Sequence, residues 1–74
     1  MIATFNAAIY EIDAALARAG ITRIFEGVAT VTDSTVYLIG TESQVAVVGP
    51  CFNLMRVIGA LADDGNDCLI EVVS

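Results

Sequence analysis

The chain lacks histidine, lysine and tryptophan altogether. Without histidine it has neither the usual general base nor the usual partner of a serine or cysteine nucleophile, and it loses the commonest metal ligand. The two cysteines, Cys51 and Cys68, do not make a zinc site by themselves. We therefore expect a protein that is not an enzyme and that has no catalytic residues, no metal and no cofactor.

Positive charge is also scarce, because three arginines stand against nine carboxylates and leave a net charge of −6. Nucleic acids and anionic membranes would repel such a chain. The longest uncharged run, between Glu42 and Arg56, holds thirteen residues, fewer than the roughly 18 that a membrane span needs. The N-terminal stretch has no basic start and contains Glu11 and Asp13, unlike a secretory signal. We expect a cytoplasmic protein that binds neither nucleic acid nor membrane directly.

Apolar residues, in contrast, are abundant: 57% of the 74 residues are hydrophobic and only 16% are charged. This composition excludes a disordered chain and predicts one domain over residues 1–74. A core of this size contributes only about 3–5 kcal/mol of net stability. Because a small interior cannot hold so much apolar material, self-association as a homodimer is expected.

The apolar spacing predicts an α+β domain with the order α-β-β-β-α-β. Apolar residues at helical spacing predict a first helix that ends at Gly20. These residues are Phe5, Ala8, Ile9, Ile12, Leu16 and Ala19. Three β-rich strands should follow as a meander, then a helix from Gly49-Pro50 to a left-handed Gly65, and a last strand in "DCLIEVVS". The sheet should be mainly antiparallel, with both helices on one face.

The sheet face away from the helices is then predicted to be apolar and uncovered. Residues expected to form an oligomer interface on it are Ile24, Val28, Tyr37 and Ile39. Alternation also places either Val45 and Val47 or Ala46 and Val48 there, depending on the second turn. Burying such a face against a second copy is the expected reason for dimerisation, and scattered surface hydrophobes on a monomer are the alternative.

The stretch "VVGPCFNLMR", Val47 to Arg56, allows three interpretations. A phosphate cradle would need several glycines, whereas this stretch has one and Pro50 removes an amide donor. A thiol in the first helical turn can have a lowered pKa, but Cys51 has no histidine to assist it. Unpaired cysteine is among the most buried residue types. We therefore interpret the stretch as the start of a core helix with Cys51 packed inside.

The segment "DDGND" crowds Asp63, Asp64 and Asp67 around a glycine, but its spacing does not fit a calcium loop of the EF-hand type. Two of these acids follow a helix, where the dipole favours cations, so either the turn compensates or they serve a basic partner. With Asp33 and Glu42 at the hairpin turns they form a scattered acidic rim. These five acids are the predicted partner-binding residues.

Two resemblances bear on function. The order α-β-β-β-α resembles the double-stranded-RNA-binding fold, whose second helix begins with basic residues; here that place reads "PCFNLMR" with only Arg56, so RNA binding is not expected. In size, acidity and surplus apolar residues, the chain resembles small acidic inhibitors that phages make against host defences, anti-CRISPR proteins among them. That resemblance implies a viral protein that acts by occupying a surface.

The sequence thus predicts a non-catalytic protein-binding module, an inhibitor that occupies a surface of a larger protein, with nucleic-acid-handling proteins among the candidate targets. One alternative is a structural subunit whose outer sheet face is an oligomer interface. Another is an acidic mimic of nucleic acid, whose carboxylates would have to match the spacing of phosphates. The three hypotheses differ in what the apolar sheet face and the acidic loops contact.

Overall fold

The computed structural model describes residues 1–25, 34–40, 43–65 and 67–74. Its helices are α1 (Ile9–Ala19) and α2 (Cys51–Asp63). Its strands are β1 (Ile2–Phe5), β2 (Thr22–Arg23), β3 (Thr35–Gly40), β4 (Val45–Val48) and β5 (Leu69–Val73). The predicted class is confirmed: a small α+β domain with a mainly antiparallel sheet and two helices packed on one face.

The element order contains one strand more than the sequence analysis predicted, because the chain begins with β1. The predicted first helix reached back to Phe5, whereas α1 begins at Ile9. The residues before it alternate in burial as those of a strand do: Ala3 and Phe5 are buried, whereas Ile2 is exposed and Thr4 is partly exposed. This strand lies between β4 and β5, so sheet neighbours bond its backbone on both sides.

The sheet has the order β2-β3-β4-β1-β5 and is antiparallel except where β2 runs parallel to β3. The predicted antiparallel meander is therefore wrong for Thr22 and Arg23. After α1 ends, Thr22 donates its N–H to the carbonyl of Ser34 at 2.8 Å, which places β2 beside the start of β3. Residues 26–33, which the predicted meander also included, lie outside the described residues.

One apolar core joins the inner sheet face to both helices. The sheet contributes Ala3, Phe5, Val36, Val45 and Val47, and the helices contribute Ile12, Ala15, Leu16, Leu54, Val57 and Leu61. One polar side chain, Asn53 of α2, is fully buried with them. Its amide nitrogen donates to the carbonyl of Thr35 at 3.0 Å, which ties α2 to the start of β3.

The residues at the ends of the helices match the capping residues predicted from the sequence. Gly20 terminates α1 with φ of 72° and Gly65 follows α2 with φ of 78°, so both predicted left-handed glycines are confirmed. At the N-terminus of α1 the carboxylate of Glu11 accepts the N–H of Ala8 at 3.3 Å. Pro50 precedes α2, as its sequence position predicted.

Candidate protein-binding surfaces

The sheet face opposite the helices, here called the outer sheet face, carries two rows of side chains. The register aligns one row across four strands: Tyr37, Val48, Ile2 and Val73. The second row is Ile39, Ala46, Thr4 and Glu71. Ile39 and Val73 expose 51% and 50% of their surface, far more than a core residue does. Seven of the eight side chains carry no charge, so this face is mainly apolar.

The four residues predicted to form an oligomer interface do not all lie on the outer sheet face. Tyr37 and Ile39 lie on the outer sheet face, and the register selects Ala46 and Val48 as their neighbours on β4. Ile24 follows β2, is half-buried, and donates its N–H to the carbonyl of Val36 at 2.8 Å. Val28 lies outside the described residues. Their role in self-association stays a prediction.

The edge strand β5 is a second apolar surface, which the sequence analysis did not single out. Its neighbour is β1, and among the described residues no strand pairs with its other side. All five of its residues are exposed. Its apolar members Leu69, Ile70, Val72 and Val73 are 40–50% exposed. The alternation of "LIEVV" is weak, so the sequence predicted a strand without indicating an open edge.

Two of the predicted acidic residues lie at the end of α2, beside an open groove of about 550 Å³. Asp63 is the last residue of α2, and Asp64, which follows it, forms an ion pair with Arg18 of α1. Arg18 also donates to the carbonyl of Ala60 at 3.2 Å. The unfavourable position of Asp64 at a helix C-terminus is therefore compensated by a cation from the neighbouring helix.

The other predicted acids are separated from this groove. Asp67 is exposed just before β5, and Glu71, which is not one of the five predicted partner-binding acids, lies within that strand. Among the described residues, no arginine lies within ion-pair distance of Asp63, Asp67 or Glu71. Asp33 and Glu42 lie outside the described residues. The acidic rim thus consists, where it is described, of one compensated acid, Asp64, and two exposed acids without an ion pair, Asp63 and Asp67.

All three arginines have partners within the chain. Arg18 forms an ion pair with Asp64 and donates to a backbone carbonyl of α2. Arg23 of β2 donates to Asp13 of α1 at 3.2 Å. Arg56 donates to the carbonyl of Ala19 at the end of α1, and its guanidinium lies 5.5 Å from the centre of the Phe52 ring. These cations hold the helical layer together and neutralise its helix ends. The excess negative charge is therefore not balanced at the surface around β5.

The interpretation of Cys51 as a core residue is wrong, because its thiol is free and exposed. Phe52 and Met55 beside it expose 65% and 57% of their surface, whereas Asn53 and Leu54 are buried. The helix begins where predicted, but its first residues face outward because α2 packs with positions 53, 54, 57 and 61 inward. Sequence periodicity could have shown this, since Leu54, Val57 and Leu61 are spaced by three and four residues.

Cys68, directly before β5, is also free and is half-buried. Burial raises the pKa of the Cys68 thiol, and the carboxylates of Glu11 and Asp67 raise it further, against an opposing backbone hydrogen bond. A thiol in such surroundings is a poor nucleophile. Within the described ranges, no three cysteine or acidic side chains cluster closely enough to hold a metal ion.

Neither α1 nor α2 has the length and hydrophobicity required to span a bilayer, and this holds for all residues that the structure describes. Exposed apolar side chains are found on the outer sheet face, along the open side of β5, and also on α2 at Phe52 and Met55. The chain matches no protein-family model, no curated protein and no solved structure at significant similarity.

Proposed function

We propose that this protein is a non-catalytic binding module that occupies a surface of a larger protein in the cytoplasm and inhibits it. The observation that supports this proposal most strongly is the outer sheet face. Apolar side chains that should lie in a core, including Ile39 and Val73, are half exposed there. Contiguous exposed apolar patches on a small domain mark sites of protein interaction.

Burial of this apolar face supplies only part of the free energy that a stable complex requires. A patch of about 400 Å² contributes roughly 10 kcal/mol when it is buried. Association costs about 4–15 kcal/mol in lost translational and rotational freedom. The two terms nearly balance, so apolar burial alone gives a weak complex. A partner with complementary charge would increase both the association rate and the selectivity.

The charge distribution favours a basic partner. Each arginine is held by groups of the same chain, whereas Asp67 and Glu71 face solvent beyond ion-pair distance of every described arginine. With a net charge of −6, the surface attracts positively charged proteins over distances of about one Debye length, roughly 8–10 Å. This attraction weakens as salt concentration rises.

A comparison of immobilised variants tests the proposal. The wild type serves as bait beside Ile39→Asp, which places a charge on the outer sheet face, and Phe52→Asp, which places one on α2 at a side chain that is even more exposed. A protein retained by the wild type and by Phe52→Asp, but lost with Ile39→Asp, supports the proposed surface. Equal retention by all three baits, or by none, contradicts it.

A second candidate function is that of an assembly subunit, because the row Tyr37, Val48, Ile2 and Val73 crosses four strands and could pack against the same row of a second copy. In that case light scattering over a wide dilution series would give the mass of a dimer. Ile39→Glu would then lower both the mass and the thermal stability together. A monomer at all concentrations contradicts this second function.

A further inference from the structure

The open side of β5 is the surface from which we draw a further inference, and this inference rests on the proposed binding function. The strand is the last in the sheet order and its five residues are exposed on both sides of the sheet. An edge strand of this kind presents unpaired backbone N–H and C=O groups, which an extended segment of another chain can bond.

Two hydrogen bonds establish which way the backbone of β1 faces. The carbonyl of Met1 accepts the N–H of Gly49, at 3.1 Å, on the side of β4. The N–H of Asn6 donates to the carbonyl of Cys68, at 2.7 Å, on the side of β5. Backbone groups of successive strand residues point to opposite sides. The even-numbered residues of β1 therefore face β5, and the odd-numbered residues face β4.

This alternation identifies the free backbone groups of β5. Glu71 lies opposite Thr4, an even-numbered residue, so its backbone bonds β1. Val72 lies opposite Ala3, whose backbone groups face β4. The N–H and C=O of Val72 consequently point away from β1, toward the open side of the sheet. A strand added at this edge would bond Val72 first.

The charges around β5 decide which strand fits. Glu71 is within it, Asp67 precedes it, and Glu11 lies close enough to Cys68 to affect its thiol. No described arginine compensates them, because each is engaged elsewhere. A second copy of β5 would bring an equally acidic strand against this one, and an antiparallel pairing centred on Glu71 would place two glutamates directly opposite each other.

We propose that β5 binds an extended segment of a partner protein in which apolar residues alternate with lysine or arginine, and that this segment extends the sheet by one strand. Its basic side chains lie on the outer sheet face beside Glu71, and its apolar side chains lie on the face of Val72. Backbone hydrogen bonds to Val72 supply affinity, and the charge opposite Glu71 supplies selectivity.

The test uses the whole chain and a capped peptide that alternates lysine and valine as the probe. Nuclear magnetic resonance with amide hydrogen exchange reports binding at each residue. The amide of Val72 should become protected when the peptide is added, and the affinity should fall as salt concentration rises. A peptide that alternates glutamate and valine is the matched control and should bind at least about tenfold more weakly.

Two variants connect the result to the edge. Val72→Pro removes the free amide donor without removing a bond to β1, because proline is tolerated at an edge position whose N–H faces solvent. It should weaken peptide binding about tenfold or more while the protein keeps its circular dichroism spectrum. Glu71→Lys should reverse the preference between the two peptides, since it changes the sign of the charge on the strand.

Several results would overturn the proposal. One is the absence of peptide binding, and another is binding that Val72→Pro leaves unchanged. A third is a protected Val72 amide without peptide in a dimer that Val72→Pro dissociates, which would assign the edge to a second copy. The two proposals fail separately: a protein partner lost with Ile39→Asp but retained by Val72→Pro would reject the edge, and a partner retained equally by the wild type and Ile39→Asp would reject the outer sheet face.

Discussion

The two edges of the sheet are built in opposite ways. Within the described residues the β2 edge consists of Thr22–Arg23, is polar, and is tied to α1 by the ion pair between Arg23 and Asp13. The β5 edge is five residues long and four of them are apolar. Proteins protect sheet edges with short strands and charged side chains, and leave long apolar edges only where something pairs with them. This difference is the reason we propose β5, and not β2, as the recognition edge.

The largest expected effect comes from removing the support of the β5 edge. Phe5 belongs to β1, the strand that pairs with β5, and its side chain is only 1% exposed. Phe5→Ala should destabilise the protein by about 3–5 kcal/mol, because it leaves a cavity in the core. For a domain this small the loss should leave most molecules unfolded, as thermal circular dichroism would report. A variant with unchanged melting temperature would contradict the central position of β1.

Proline substitutions at two adjacent positions of β5 distinguish the backbone amide that bonds β1 from the amide that faces the open side. Val73 lies opposite Ile2, so its N–H bonds β1, whereas the N–H of Val72 points to the open side. Val73→Pro should therefore cost about 1–3 kcal/mol in free energy of unfolding, and Val72→Pro much less. Urea denaturation of both variants measures the difference. Equal losses would show that our assignment of the free amide is wrong.

The labelling rates of the two cysteines allow the accessibility of the β5 edge to be compared with that of α2. Cys51 is exposed and Cys68 is half-buried before β5, so a thiol reagent should modify Cys51 faster, by about tenfold at neutral pH. The variants Cys51→Ser and Cys68→Ser identify which thiol reacts. Faster labelling of Cys68 would mean that the β5 edge opens readily.

The pH dependence of this labelling has a definite sign. Because the pKa of Cys68 is raised in the folded protein, its reaction should reach half-maximum above the ordinary thiol value of about 8.5. The folded state holds this proton more tightly, so the associated stability is present below the unfolded pKa and is lost as pH rises through the folded pKa. A midpoint at or below the ordinary value would contradict this environment.

The smallest expected effect is on the β2 edge. Arg23→Ala removes the ion pair with Asp13, whose side chains are more than a third exposed. Pairs of this kind contribute about 0.2–1 kcal/mol. A double-mutant cycle with Asp13→Ala, followed by thermal denaturation at low and high salt, isolates the pair. A coupling energy larger than this range would mean that the β2 edge depends on the ion pair more than its exposure suggests.

Several features of the fold could be predicted because they depend on neighbouring residues alone. Gly20 and Gly65 end helices, Pro50 begins one, and the β-branched runs around Val47 and Val72 form strands. The predicted α+β class and the uncovered apolar face with Tyr37 and Ile39 follow from composition and alternation. These predictions hold because turn chemistry and side-chain periodicity operate over a few residues.

Other features were missed because they depend on which elements meet. Helical spacing from Phe5 to Ile9 concealed β1, which is a strand because β4 and β5 bond it on both sides. The parallel pairing of β2 depends on its contact with β3, whereas the outward position of Cys51 could have been predicted from the spacing of Leu54, Val57 and Leu61. Patterns of neighbouring residues do not predict which strands pair over long distances in the chain.

By itself, the sequence determined that this protein is a small acidic α+β domain with more apolar surface than its interior can hold. Composition sets the charge and the surplus of hydrophobic residues, and neither depends on the path of the chain. Only the tertiary structure decided that β5 becomes an edge, that Val72 turns its backbone outward, and that the arginines are used within the helical layer. The reason is that edges and free backbone groups are properties of strand pairing, which long-range contacts establish.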